Sequence, residues 1–110
     1  TEAQIRDCSV SALDPNDSDE FWFTTSSYTE PTTLFLADAS KVDIGSTSED
    51  DFIVEKLKSL PPQYDSTNLI AEQRFATSKD GTEIPYFIVM KKDIEFNGKN
   101  PTLLYGYGGK

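Results

Sequence analysis

The sequence contains no histidine. Near neutral pH the general base of a hydrolase is usually His, and triads that activate Ser or Cys nearly all include one. A self-sufficient hydrolase of the triad type is therefore excluded by inventory. The G-x-S-x-G turn that presents a nucleophilic serine is missing as well. Positive charge is scarce: 10 Lys and Arg stand against 19 Asp and Glu, for a net charge of -9. Such a chain repels nucleic acid and anionic lipid, so neither is an expected partner. Cys8 is the single cysteine, which excludes an intrachain disulfide and suits a reducing compartment, so a cytoplasmic location is expected. No apolar run is long enough to cross a membrane as a helix. Thr1-Glu2-Ala3-Gln4 carries neither an initiator Met nor a basic segment leading into an apolar one, and it reads as the front of a cut chain.

What is present is enough to fold. Hydrophobic residues make up 36% and aromatics 12% of 110 residues, which fits one small domain or parts of two larger ones. Asp14-Pro15-Asn16-Asp17-Ser18-Asp19-Glu20 is a run of turn formers and should be a solvated loop. Its oxygens do not make a calcium loop, because counting from Asp14 places Asp19 where an EF-hand needs Gly and Thr25 where it needs the bidentate Glu. No metal is expected. Phe21 to Tyr28 is rich in aromatic and β-branched residues and reads as a strand. Thr33 to Asp38 reads as its antiparallel hairpin partner, after a short connection containing Pro31. Val42-Asp43-Ile44 is expected to begin a further short strand. Phe52 to Leu60 is ambiguous. Ile53, Leu57 and Leu60 recur at i, i+4 and i+7, and Ser48-x-x-Asp51 can cap a helix, so periodicity alone prefers a helix here. Pro61-Pro62 ends the element in either case, and a linker is expected near 61 to 67.

In the second half, the segments 70 to 77 and 82 to 91 flank Ser78-Lys79-Asp80-Gly81, where Asp-Gly supplies the positive φ of a tight hairpin turn. Pro85 cannot donate a ladder hydrogen bond and should lie at an edge or bulge. Asn97-Gly98 is another turn signal. Thr102-Leu103-Leu104-Tyr105 reads as a short apolar strand buried on both faces. Taken alone, the Tyr105-Gly106-Tyr107-Gly108-Gly109 string that follows is a strand running into a flexible turn. A phosphate loop fits less well, for want of a later glycine and a helix.

Three stretches together resemble the prolyl oligopeptidase family of serine peptidases: Thr77-Ser78-Lys79-Asp80-Gly81-Thr82-Glu83-Ile84-Pro85-Tyr86-Phe87-Ile88-Val89, Asn97-Gly98-Lys99-Asn100-Pro101, and Leu104-Tyr105-Gly106-Tyr107-Gly108-Gly109. Residues 68 to 109 carry the likeness. Upstream, only the Trp22-Phe23-Thr24 and Leu34-Phe35-Leu36-Ala37-Asp38 strands match in pattern. In such enzymes a β-propeller caps an α/β-hydrolase domain. The resemblance therefore implies a mainly β segment, with the last propeller blade over 1–64 and the opening strands of the catalytic domain over 65–110. It also turns 52 to 60 toward a strand, as the outer element of that blade, and makes Trp22 part of the blade packing.

By the same likeness, Tyr107 corresponds to the family's tyrosine that donates to the oxyanion, with Gly106, Gly108 and Gly109 as its supporting loop and Tyr105 packed in the core. A pre-aimed phenol O–H can stabilise the charge that develops on a scissile carbonyl oxygen. The family usually continues with an aromatic residue after the paired glycines, and Lys110 departs from that pattern. The resemblance implies hydrolysis of short peptides, after proline, by a Ser/Asp/His triad lying outside these 110 residues. No cofactor is implied, and the partners are peptide substrates and the remainder of the same polypeptide. The segment alone should be inactive. A rival reading is a stand-alone, non-catalytic β-rich binding or scaffold module, which would have to bury 102 to 105 within its own fold.

Overall fold

The computed structural model describes residues 5–43, 45, 48 and 51–108. Among the described residues six strands form two antiparallel sheets. β1 (Asp7–Ala12), β2 (Glu20–Ser26), β3 (Thr33–Asp38) and β4 (Ile53–Ser59) make a four-stranded meander in sequence order, and β5 (Leu69–Thr77) and β6 (Glu83–Lys91) make a separate hairpin. The mainly β, antiparallel expectation holds.

The aromatic pattern of β2 builds the core of the meander. Phe21, Phe23 and Thr25 lie opposite Ala37, Phe35 and Thr33 of β3, so the alternating pleat brings all six to one face. Phe23 is 6% exposed and Ala37 0%. Phe52, just before β4, closes over this face with its ring centroid 5.4 Å from that of Phe23, edge-on, and 6.2 Å from that of Phe21. Burying a side chain of this size is worth about 1.5–3 kcal/mol, so the three rings outweigh any single polar contact in the sheet. Thr33 and Ser59 share a 2.8 Å hydroxyl hydrogen bond where β3 meets β4. Trp22 points to the other face, half-buried, opposite Leu36 on one side and Ser11 on the other.

β4 resolves the helix-or-strand ambiguity as strand. Its register against β3 steps from Lys58 to Lys56 across Leu34/Phe35 and from Glu55 to Ile53 across Leu36/Ala37. Leu57 and Val54 are thereby left over as bulge residues. Two bulges in seven residues destroy the period-2 alternation, and so the apolar positions fall at helical spacing in the sequence. β1, by contrast, carries no strand signal of its own: all six residues are exposed, and it is held by its ladder to β2. The Asp14–Asp19 segment is the loop between them, with Asp14 accepting from the Ser18 and Asn16 amides. The expected strand at 42 to 44 is not found. Ala39–Lys41 form a 3-10 turn capped by the Asp38 carboxylate, which accepts from the Ser40 amide and hydroxyl; Val42 and Asp43 follow outside any strand, and Ile44 lies outside the described residues.

The hairpin follows its turn chemistry. Gly81 has φ +86° and donates to the Ser78 carbonyl, while the Ser78 amide donates to Thr82. The Asp80 carboxylate accepts from the Thr82 amide at 3.1 Å, and this bond, with the Thr82 hydroxyl after it, holds its pKa below the ordinary carboxylate value. The pairs 78/82 and 68/92 are both hydrogen-bonded, which makes the even-numbered pairs of this ladder the bonded ones. Pro85, opposite Phe75, therefore sits at a non-bonded position, with its missing donor directed out of the hairpin.

The two sheets share no extended strand-to-strand packing. The radius of gyration is 18.1 Å, against about 13 Å for a compact chain of this length.

Candidate functional site

Beyond β6 the chain is pinned step by step and then released. The Lys92 amide donates to Asn68 and its ammonium to the Thr67 carbonyl, which ties the end of the hairpin to its beginning. Asn97-Gly98 forms the expected turn: Gly98 has φ +74°, and the Asn97 side chain accepts from the Lys99 amide. The Asn100 amide side chain donates back to the Glu95 carbonyl at 2.7 Å. Phe96 lies beneath the Arg74 guanidinium, 5.9 Å from its ring centroid. Arg74 in turn is ion-paired to Glu72 at 2.6 Å, and that bond raises its pKa. The cation over the Phe96 ring ties the loop to β5, and two Arg74 donors on the single oxygen Oε2 of Glu72 hold the guanidinium in place on the strand.

From Pro101 to Gly108 there is no secondary structure. This corrects the expectation of a strand at 102 to 105. A strand needs a partner ladder, and none of the six described strands offers one to this segment. Leu104 is 95% exposed, and Tyr105, expected in the core, is 82% exposed. Tyr107 is 80% exposed. Its phenol is a hydrogen-bond donor on an accessible arm, which is the chemical capacity an oxyanion role requires. Neither Gly106 nor Gly108 adopts the positive φ seen at Gly81 and Gly98, and a Cβ at either would meet nothing within 4 Å. Their small size answers to no crowding among the described residues. Gly109 and Lys110 lie outside the described residues. Among the described residues no group of three His, Cys, Asp or Glu is placed to hold a metal ion, and no helix is long and apolar enough to cross a membrane.

The sequence reading missed the junction between the sheets. There Tyr28 of the β2–β3 turn meets Tyr64 of the connection and Phe87 of β6. These residues are far apart in the chain, and no local pattern marks them.

Comparison with known proteins places the sequence. The chain is 39% identical over 90 residues to the prolyl endopeptidase of Elizabethkingia miricola, a match that takes in 82% of the chain and 11% of that relative. It is 45% identical over 94 residues, 86% of its length, to an uncharacterized peptidase of Sinorhizobium fredii, of which this is 12%. By sequence the chain belongs to the prolyl oligopeptidase family. A prolyl oligopeptidase A of Amanita bisporigera matches at 46% identity over 54 residues, 49% of the chain and 7% of the relative. This prolyl oligopeptidase-family chain thus spans about an eighth or less of the length of these curated relatives. No family model matches it, and no solved structure matches it significantly.

Proposed function

We propose that the chain is the part of a serine-type endopeptidase where the last propeller blade, over 1–64, gives way to the opening of the catalytic domain, over 65–110. In that reading the parent enzyme works in the cytoplasm and hydrolyses short peptides after proline. Its Ser/Asp/His triad comes from sequence outside these residues, and Tyr107 donates its phenol O–H to the oxyanion of the tetrahedral intermediate. Gly106, Gly108 and Gly109 keep the backbone beside that phenol free of side chains, so that a substrate carbonyl can approach.

The observation that carries the reading is the pairing of Tyr107 with Gly106 and Gly108, whose smallness nothing among the described residues demands. Family membership supplies the context: the Elizabethkingia relative is named a prolyl endopeptidase. The four-stranded meander supports the blade assignment. The nearly full exposure of Leu103 and Leu104 weighs against a stand-alone module, which would have to cover them.

The test is Tyr107→Phe in a full-length peptidase that contains this segment. Loss of one preorganised oxyanion donor lowers kcat by about a hundred- to thousandfold, with KM for a proline-containing chromogenic peptide little changed. A kcat within threefold of the parent would remove Tyr107 from the reaction.

A further inference from the structure

The loop after β6 holds an Asn97-Gly98 pair whose surroundings differ from those of Asp80-Gly81 in the hairpin turn. Phe96 to Asn100 are all exposed. The Asn97 Oδ1 accepts from the Lys99 amide at 2.9 Å. This bond polarises the side-chain carbonyl, would stabilise negative charge developing on its oxygen, and closes a ring that folds the side chain back along the Gly98 peptide. Among the described residues nothing accepts from the Gly98 amide, and a Cβ at Gly98 would meet nothing within 4 Å, so that nitrogen is unoccupied and uncrowded. At Asp80-Gly81 the corresponding nitrogen is engaged, donating to the Ser78 carbonyl at 3.0 Å. The other asparagines are placed differently. Asn68 is followed by Leu69, whose amide donates to the Ser66 carbonyl at 2.9 Å, and its own side chain is drawn away to Asp93 at 3.3 Å. Asn100 precedes Pro101, which has no N–H. Asn16 precedes Asp17, whose carboxylate opposes an anion on its own amide.

From this arrangement we infer that Asn97-Gly98 is a site of spontaneous covalent modification, converting in the folded chain to aspartate and isoaspartate. The Gly98 nitrogen gives its proton to water or hydroxide and attacks Cγ of Asn97. The N–Cγ bond forms, the Cγ–Nδ2 bond breaks, and Nδ2 takes up a proton and leaves as ammonia. The product is a cyclic succinimide, which water opens at either carbonyl. Breaking the ring bond to Cγ gives aspartate. Breaking the ring bond to the backbone carbonyl carbon gives isoaspartate, with the main chain now running through Cβ and Cγ. Either product adds a negative charge to a chain already at -9. Isoaspartate also inserts a methylene into the backbone between two anchors of the loop, the Phe96 ring beneath Arg74 and the Asn100 side chain on the Glu95 carbonyl. The modification therefore falls where it alters the path from the hairpin to the segment 101–108. The inference rests on the turn alone and stands whether or not the peptidase reading does.

The test incubates the full 110-residue chain at neutral pH in heavy-oxygen water, with peptide mapping by mass spectrometry and electron-transfer fragmentation to separate aspartate from isoaspartate. The peptide containing residue 97 gains the mass of a carboxyl in place of an amide, carries one heavy oxygen, and splits into both isomers. An attacking amide that must first give up a hydrogen bond is slowed about two- to tenfold, and the Leu69 side chain adds crowding, so Asn97 converts at least about tenfold faster than Asn68. The same incubation in urea separates fold from sequence: Asn68 speeds up on unfolding, whereas Asn97 is no faster unfolded than folded. Asn97→Gln abolishes the signal, because its longer side chain would have to close a larger ring. Conversion of Asn97 no faster than that of Asn68 in the folded chain overturns the inference. So does a rate at Asn97 that rises severalfold in urea, which would show that the fold protects the site. Aspartate without isoaspartate would point to direct hydrolysis of the side chain and also overturn it.

Discussion

Replacing Gly81 with alanine isolates a purely conformational cost. The glycine sits at φ +86°, and a Cβ there would meet nothing within 4 Å, so no packing clash enters. An L-residue held in the left-handed region loses about 1–2 kcal/mol. The substitution also restricts the unfolded chain, which offsets about 0.4–1 kcal/mol of that. The net expectation for Gly81→Ala is destabilisation of the β5–β6 hairpin by about 1 kcal/mol, or about fivefold in its opening equilibrium. Isolated two-stranded hairpins are marginal, so this opening should be local. Amide hydrogen exchange then shows β5 and β6 protection falling about fivefold while β2 and β3 are unchanged. Gly81→Asn, whose side chain tolerates this region, recovers part of the loss. Equal damage from Ala and Asn, or no damage from either, would refute the argument. So would a loss equally deep in the meander.

Gly106→Ala, at a position with neither positive φ nor close neighbours, leaves thermal stability unchanged or slightly raised; any loss of activity it causes in a full-length peptidase is then functional rather than structural. Phe23→Ala removes the ring that meets both Phe35 and Phe52 and costs about 3–5 kcal/mol, read as loss of the cooperative urea transition of the meander. The Asp80 pKa is depressed in the fold, so its contribution is present above the ordinary aspartate value, about 3.9, and is lost as pH falls through the lower folded value. Hairpin protection, corrected for intrinsic exchange, is therefore flat from about pH 7 to 5 and declines below about pH 4; Asp80→Asn abolishes that decline. The 110-residue chain, purified to homogeneity, shows no turnover of a proline-containing chromogenic peptide, and persistent turnover would defeat the proposal that the triad lies elsewhere.

Where sequence reading succeeded, one local force dominated. The aromatic alternation of β2 and β3 survives because both faces of the central pair are covered to some degree. The Asp80-Gly81 turn survives because only glycine readily supplies that φ. β4 was ambiguous on periodicity because two bulges shift its apolar residues to helical spacing, and only the family resemblance pointed to the strand that forms; a register irregularity cannot be seen from one strand alone. β1 was silent because an exposed edge strand takes its conformation from the neighbour's ladder and needs no apolar face. The side chains of 102 to 105 state a preference for burial but provide no partner, so the expected buried strand does not form. The same limit applies to the candidate site. Tyr107 and its glycines were legible as a motif, whereas the Tyr28–Tyr64–Phe87 junction is a product of tertiary folding and left no local trace.

Pro85 has a consequence for how the hairpin can be extended. On β6 the odd-numbered residues direct their amides away from β5, so the free margin would offer donors at Glu83, Phe87, Val89 and Lys91, with a gap at Pro85. A strand arriving beside β6 can bond without interruption only along its last five residues, 87 to 91. The margin is thus polarised. Its distal portion near the turn is a poor template for chance pairing, and its proximal portion, next to the Arg74-anchored loop, is where a third strand would have to begin.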